Sequence, residues 1–489
     1  MIKTMPPVKE IIDLMQAPTE ADRALVERAY AFAHKAHEGQ TRYSGDPYFI
    51  HVVGAAMNVA ALGMDAPMIA AGLLHDILED AGIEASVLKK EFGADITGLV
   101  EGVTKLGKYK YQGLERHAES LRKLLIAASK DVRVLIVKLA DRLNNMQTLE
   151  HVPEHKRGRI AIETLDIYAP LAGRLGINKI KNELEDLAFP YAYPKEYKET
   201  LALLDQKRVR FKKYIEKAHR HLQKALVKNG ITDFTSFYRV KGMYSLYKKL
   251  QKHDDDIDEI TDLYALRVIV PAIPDCYKVF GIVHGMWKPL AERIKDYIAI
   301  PKPNGYQSLH TTVLTGDGGV VEIQIRTTDM HEEAQFGIAA HFAYKEGVRR
   351  GKGDAIKKKL LWMNDLVDWQ KGVSESGEFL ESLKMDFFKD RIFILTPKGD
   401  VVDLPEGSTP IDFAYAIHSG IGDHIFGAKI NDKFCGIDAL LHDGDRVEII
   451  TKESSSPKVK WLQGAKTTLA RRHIRSYLQK KKEKEGGEE

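Results

Sequence analysis

APMIAAGLLHDILEDAG, residues 66–82, decides how the first half of the chain is read. Its apolar residues recur at helical spacing. Four polar side chains interrupt them: His75 beside Asp76, then Glu79 and Asp80 one turn later. In a continuous helix these four share one face. Charged groups sit among apolar residues only when they pair or bind metal. His51 stands at the start of another expected helix, and Asp141 and Asn145 lie at i and i+4 on a third. Two imidazoles and two carboxylates, from His51, His75, Asp76 and Asp141, make a mixed N/O ligand set suited to a divalent cation such as manganese. Glu79 and Asp80 remain to position a water or move protons. A lone His-Asp pair is usually a packing feature; its apolar surroundings and the ligands on two further helices favour the metal reading.

Working outward, RALVERAYAFAHKAH (23–37) and SLRKLLIAASKDVRVLIVKLADRLNNMQTL (120–149) repeat the helical pattern, and strand-like alternation is nearly absent before residue 195. Pro190 and Pro194 break the pattern and mark a boundary, and a long basic helix follows to about Asn229. From about residue 236 the character changes. DLYALRVIVP (262–271) and GGVVEIQIRT (318–327) are β-branched or alternating and predict strands, with helices between them. A basic helical connector over 348–385 leads to RIFILTP–KGD–VVDLP, a hairpin turning at Pro397–Asp400. STPIDFAYAIHSGIG (408–422) reads as a Ser-capped helix ending at glycine, and HIFGAKIN and DRVEIIT supply two more strands. Hairpin, helix and returning strands suggest a small β-grasp module.

The α/β segment holds a second constellation. Glu322, Gln324 and Arg326 alternate with Ile323 and Ile325, so period two puts the three polar residues on one face. Asp262 stands at the entry to the other strand. With Glu322 it offers two carboxylates for magnesium, leaving further positions to substrate phosphates. Arg239, Lys241, Lys249, Arg267, Arg293, Lys295 and Lys302 supply cations that can neutralise polyphosphates. Tyr306, in PKPNGYQSLHTT (301–312), offers a ring for stacking on a base. Any one of these lysines by itself is best read as a solvated surface charge.

Composition bounds the rest. The chain has 489 residues, 44% hydrophobic and 29% charged, which suggests three or four domains of a globular protein. The N-terminus lacks a secretory signal, and no apolar run reaches membrane-spanning length. Two distant cysteines, Cys276 and Cys435, argue against a disulfide framework and fit a reducing cytoplasm. Net charge is only +4, but Lys452 to Lys484 holds eleven Lys or Arg against two acids, a segment able to hold a phosphate backbone or simply to lie solvated.

The motifs HEGQTRYSGDPYFIH, LLHDILED, GVTKL and VKLADRLNNMQTL, then RVKGMYSLYKK, DLYALRVIV, RIKDYIAIPKPNGYQSLHTTV and EIQIRTTDMH…GIAAHFAYKEG, then TPKGDVVDLPEGSTPIDFAYAIHSGIG, resemble the RelA/SpoT homologue family, the alarmone synthetase-hydrolases, from about residue 20 to residue 478. The resemblance implies an all-α HD-type hydrolase domain at 1–195 and an α/β nucleotidyltransferase-like synthetase domain at 196–347. The connector at 348–385, a TGS β-grasp domain at 386–452 and a basic tail at 453–489 complete the expected order. It implies pyrophosphate transfer from ATP to the 3′-hydroxyl of GDP or GTP, giving (p)ppGpp and AMP. It also implies manganese-dependent removal of that 3′-pyrophosphate. By motif, His51, His75, Asp76 and Asp141 match the metal ligands and Glu79 and Asp80 the catalytic acids. Arg42, Ser44 and Asn145 match nucleotide-contacting positions. Asp262 and Glu322 match the magnesium and catalytic carboxylates of the synthetase. Arg239, Lys241, Lys249, Lys295, Lys302 and His310 match phosphate-side positions and Tyr306 the guanine-stacking tyrosine; Arg267, Asn304 and Gln324 complete the substrate-binding candidates. Arg293 to Asp296 matches the RxKD form of bifunctional members. His418 matches a position implicated in contacting the tRNA 3′ end, which makes deacylated tRNA and the ribosome candidate partners.

Five positions depart from the family pattern: Tyr43 for Lys, Val52 for Pro, Asn144 for His in DRLHNM, and Ala291-Glu292 for Pro-Gly. Long members also carry helical, zinc-finger and ACT-type domains after TGS. Two other readings compete with the bifunctional one: a hydrolase whose synthetase half is regulatory, and an RNA-binding module. Intact Asp262, Glu322 and Tyr306 weigh against the former, and the two constellations weigh against the latter.

Overall fold

The computed structural model describes residues 5–104, 114–260, 262–302, 304–316, 319–343, 383 and 391–485. The expected connector at 348–385 lies, apart from residue 383, outside the described residues. Contacts divide the chain into two compact units, Met1–Lys371 and Gly372–Glu489.

The first unit begins with helices. Thr19 opens Glu20–Ala36 with a capping box shared with Asp22. Asp65 caps Ala66–Leu74 by accepting the Met68 N–H at 3.1 Å. Ala66–Leu74 is almost wholly apolar and correspondingly buried. It packs against Glu20–Ala36, Phe49–Ala60 and Arg133–Gln147. The long pattern at 120–149 divides into two helices, Leu114–Lys130 and Arg133–Gln147.

Two expectations need correction here. The helix carrying the His-Asp pair stops at Leu74, and residues 75–80 follow as turns. The cause is local: the His75 imidazole takes the Gly72 carbonyl at 2.7 Å, the acceptor that a further helical turn would use for Asp76. One helical bond survives, Asp80 N–H to the Asp76 carbonyl at 2.8 Å, so residues 76 and 80 remain one turn apart. Pro190 does not break a helix; it lies inside Asn178–Ala192, and only Pro194, which opens Pro194–Lys228, marks the boundary.

The α/β half contains a sheet in the order Thr235–Val240, Tyr264–Val270, Val320–Thr327, Leu309–Leu314 and Lys288–Pro289, with Lys295–Asp296 also paired to Leu309–Leu314. The two central strands are parallel, with Arg267 opposite Gln324. Leu266, Val268, Ile323 and Ile325 are buried on one side against Leu222, Leu226, Val279 and Val283. The alternate residues Arg267, Glu322, Gln324 and Arg326 therefore share the other side. Helix Asn178–Ala192, from the helical half, packs on Met243–Leu250 and Thr328–Phe336.

In the second unit, Arg391–Leu395 pairs with Val401–Pro405 as a hairpin, and Ile425–Ile430 is flanked by Lys433–Cys435 and Val447–Thr451. The helix Pro410–Ile417 is capped not by Ser408 but by Thr409, through a capping box with Asp412. The segment expected as a separate tail folds onto this helix. Asp412 Oδ1 accepts the N–H groups of Lys466 and Thr467 at 2.9 and 2.8 Å. Trp461, Ala465, Ala470 and Ile474 are buried with Ile411, Ala414 and Tyr415. A helical apolar spacing, Ala470 and Ile474, was hidden there beneath the dense charge.

Candidate active sites

Three helices converge in the helical half. His51 lies in the first turn of Phe49–Ala60, His75 just past Leu74, and Asp141 inside Arg133–Gln147. All three are buried. One ligand atom from each falls within 4.8 Å of the others. His51 Nε2 is 3.5 Å from Asp76 Oδ2 and 3.3 Å from Asp141 Oδ1; His75 Nε2 is 3.0 and 3.7 Å from the same atoms.

The outer atoms orient the inner ones. His75 Nδ1 donates to the Gly72 carbonyl and His51 Nδ1 to Asn144 Oδ1, both at 2.7 Å. With Nδ1 protonated on each ring, both Nε2 lone pairs face the cluster, as metal-ligating histidines require. His75 Nε2 is fully buried and lacks an aligned hydrogen-bond partner despite its nearness to Asp76. Lys138 Nζ takes Asp141 Oδ2 at 2.7 Å and Asn145 Nδ2 donates to Asp141 Oδ1 at 2.6 Å. Burial opposes the charged forms, but the carboxylates outweigh it and raise His75 to about 10. Against the same burial, His75 and His51 hold Asp76 well below the usual carboxylate range, and Lys138 and the imidazoles do so for Asp141. Once a cation takes the place of the His75 Nε2 proton, two carboxylates and one ammonium leave a net negative centre around it. These residues fit a divalent cation.

Asp80 and Asp76 are joined by one hydroxyl: Tyr48 OH lies 2.8 Å from Asp80 Oδ2 and 2.7 Å from Asp76 Oδ2. Glu79 is half-buried and forms no hydrogen bond with the described residues. Beside the cluster opens a cleft of about 490 Å³ lined by Arg42, Tyr43, Ser44, Tyr48, His51, Asn144, Asn145, Thr148 and Lys156, among others. Arg42 donates to Asn145 Oδ1 at 2.9 Å and Thr148 Oγ1 at 3.0 Å. Ser44 is held in its own turn by Asp46. Lys156 Nζ reaches Tyr43 OH at 3.2 Å, so a cation stands at the cleft mouth even though residue 43 is not lysine.

On the sheet, the carboxylates and cations also meet. Lys241 and Lys249 hold Asp262 Oδ2 at 2.7 and 2.6 Å, while Asp262 Oδ1 is buried without a partner. Burial would raise Asp262, but the two ammonium groups bring it below its ordinary value. Glu322 Oε1 is 2.9 Å from His310 Nδ1, and His310 Nε2 is 2.8 Å from Tyr306 OH. Burial likewise opposes ionisation of Glu322, and His310 outweighs it. Arg267 and Arg326 are 4% and 1% exposed, share Gln324 Oε1 at 3.1 and 3.5 Å, and face no carboxylate in an ion pair. Burial, Arg326 and Arg239 push Arg267 down to about 9; burial, Arg326 and Arg267 push His331 down to about 4. Two guanidinium groups buried side by side, with no ion pair among the described residues, form a pocket that an entering anion stabilises. Lys302 Nζ lies 4.7 Å over the Tyr297 ring, and Asn304 Oδ1 accepts the Tyr306 N–H at 3.1 Å, shaping the loop. Lys295 and Arg293 are exposed, Lys295 directly across the strand pair from His310. His418 is exposed, and its Nδ1 caps the next short helix by accepting the Gly420 N–H at 3.0 Å.

Tyr48, Lys138, Asn144 and His331 were not among the residues singled out from sequence. Only Asn144 carried a signal, its departure from the family pattern; Arg326 was visible through its strand face.

Three family models match: an HD domain at 29–178, the region found in RelA / SpoT proteins at 238–349, and a TGS domain at 392–451. A GTP pyrophosphokinase of Myxococcus xanthus is 45% identical over 470 residues, 95% of this chain and 62% of that protein. A guanosine-3′,5′-bis(diphosphate) 3′-pyrophosphohydrolase of Aquifex aeolicus is 45% identical over 94% of this chain and 65% of its own length. One of that name from Haemophilus influenzae is 42% identical, covering 93% and 67%. The chain thus spans about two thirds of the length of these relatives. Among the described residues, no helix is long and apolar enough to cross a membrane.

Proposed function

The chain belongs to the RelA/SpoT homologue family, and from that premise we propose that it both makes and destroys (p)ppGpp, at two separate sites. The observation that carries the proposal is the presence of two constellations on one chain: His51, His75, Asp76 and Asp141 among the helices, and Asp262, just before a strand, with Glu322 on the sheet.

In the hydrolase, the four ligands would hold a divalent cation, manganese best by donor type, which would supply an activated water and polarise a phosphate. Asn144 and the Gly72 carbonyl keep both imidazoles in the ligating tautomer. Arg42, Asn145 and Lys156 line the cleft and take the nucleotide with its phosphates. Asp80, tied through Tyr48 to Asp76, and Glu79 are placed to carry protons to and from the reacting oxygens. The bond to the 3′-oxygen breaks, releasing GDP or GTP and pyrophosphate.

In the synthetase, Asp262 and Glu322 would hold magnesium, whose charge would offset that of the transferring group. Lys241 and Lys249 fix Asp262 and neutralise the ATP phosphates. Glu322 draws the proton from the 3′-hydroxyl of GDP or GTP as that oxygen attacks the β-phosphorus of ATP. AMP leaves with the bridging oxygen. The buried Arg267 and Arg326 receive anionic substrate, and Tyr306 offers its ring to the guanine. The exposed His418 and the basic helix Thr468–Glu485 are proposed to contact deacylated tRNA or the ribosome, and the protein to act in the cytoplasm.

The experiment is direct. Incubation with ATP, GDP and Mg²⁺ should yield ppGpp and AMP; incubation of ppGpp with Mn²⁺ should yield GDP and pyrophosphate. Absence of either product under both metals refutes the corresponding half.

A further inference from the structure

A helix leaves its first N–H groups without partners in its own turns. Met243–Leu250 starts after Gly242, an N-cap residue with no side chain to supply an acceptor. The acceptor comes from a different helix. Asp186, on Asn178–Ala192, accepts the Tyr244 N–H on Oδ1 at 3.2 Å, and the Met243 N–H also acts on this carboxylate. Gly242 is what lets it approach: a Cβ there would stand 2.8 Å from Asp186 Oδ2.

The seat continues along the helix. Phe189 stacks on Tyr247 with ring centroids 5.0 Å apart, and the Ser245 hydroxyl donates to buried Glu185 at 3.4 Å. The two lysines that grip Asp262 flank the cap. Lys241 immediately precedes Gly242, and Lys249 lies in the last turn of the same helix. The matched HD region ends at residue 178 and the matched RelA / SpoT region starts at 238, so Asp186 belongs to neither.

We infer that Asp186 is a positioning residue of the synthetase site, capping from another helix the element that carries Lys249 to Asp262. The inference rests on the two-activity reading above. Asp186 touches no substrate; it fixes the start of the helix and thereby the distance from the Lys249 ammonium to the carboxylate it holds.

The test uses the full chain with ATP, GDP and Mg²⁺, and separately ppGpp with Mn²⁺. Loss of a cap corresponds to a drop of roughly twofold to thirtyfold. Asp186→Ala should show that drop in kcat/KM for ATP, with the KM for GDP and the rate of hydrolysis unchanged. Asp186→Asn keeps an acceptor oxygen and should restore most of the loss. Wild-type ATP kinetics in Asp186→Ala overturn the inference, as does equal loss in the Ala and Asn variants. Loss of hydrolysis in parallel also overturns it, since that marks general destabilisation. A wild-type chain that makes no ppGpp refutes the two-activity reading and the inference with it; a competent wild type beside an unaffected Asp186→Ala refutes the inference alone.

Discussion

Replacing Asn144 with leucine removes one oxygen that the metal site depends on without removing any ligand. Asn144 Oδ1 accepts His51 Nδ1–H at 2.7 Å, and the two residues are 9% and 3% exposed, so no solvent stands ready to replace the bond. Gly54 makes the approach possible, since a Cβ there would overlap the Asn144 side chain. Leaving a buried donor unsatisfied costs about 1–3 kcal/mol. The imidazole can avoid that cost by shifting its proton to Nε2, which takes away the lone pair meant for the metal. Either way the cation binds less tightly, by about 10- to 100-fold for an outer partner of a metal-ligating histidine. Asn144→Asp keeps the acceptor and strengthens it, so its affinity should equal or exceed that of the wild type. The assay is Mn²⁺ affinity by competition with a chelator of known strength, alongside ppGpp hydrolysis and a thermal melt of the metal-free protein. A folded Asn144→Leu protein with unchanged Mn²⁺ affinity refutes the reasoning, because the tautomer would then be set by something other than this bond.

Excess chelator should abolish ppGpp hydrolysis, and Mn²⁺ should restore it better than Mg²⁺, because the donors are two imidazoles and two carboxylates; full hydrolysis in chelator contradicts the site. His331, pushed down to about 4 by burial and two guanidinium groups, should titrate by NMR far below an ordinary histidine, and bound ATP should raise its pKa by adding negative charge beside Arg267 and Arg326. Its folded pKa lies below the unfolded value of about 6.5, so the unfolded chain binds the extra proton first. Stability from this residue is therefore full above about pH 6.5 and declines as pH falls towards 4. His418→Ala should weaken binding of deacylated tRNA while leaving hydrolysis intact, measured by filter binding at low salt; unchanged tRNA binding leaves His418 only its role capping Gly420.

Much of this was legible because periodicity reports which face of an element is buried. The apolar run at 66–74 announced a central helix, and the alternation at 322–326 placed Glu322, Gln324 and Arg326 on one side of a strand. The carboxylate and imidazole types in LLHDILED, with His51 and Asp141, suggested a ligand set before any geometry. Periodicity says nothing about which distant residue a polar atom meets. Asn144 lies 93 residues from His51, and Asp186 58 residues from Tyr244, so neither bond had a local signature. Lys138 has no local mark of its role, yet it is buried against Asp141. The turn at residues 75–80 was hidden for a related reason: a side chain, not a proline or glycine, diverts the helix by taking the Gly72 carbonyl. In the second unit, dense basic charge masked the apolar spacing that seats Thr468–Glu485 on its neighbour.

The account stands or falls on the independence of the two sites. Asp76→Ala removes a carboxylate from the His51–His75–Asp141 cluster, and Glu322→Ala removes the carboxylate beside His310 on the sheet; neither change touches an atom of the other cluster. The measurement is synthesis and hydrolysis of ppGpp by each variant, with circular dichroism to confirm folding. Asp76→Ala should lose hydrolysis by orders of magnitude and keep synthesis, and Glu322→Ala the reverse, with cross-effects no larger than the about 1–3 kcal/mol typical of coupling between sites. A folded Asp76→Ala protein that loses synthesis as completely as hydrolysis would contradict the two-site account and point to a single shared site.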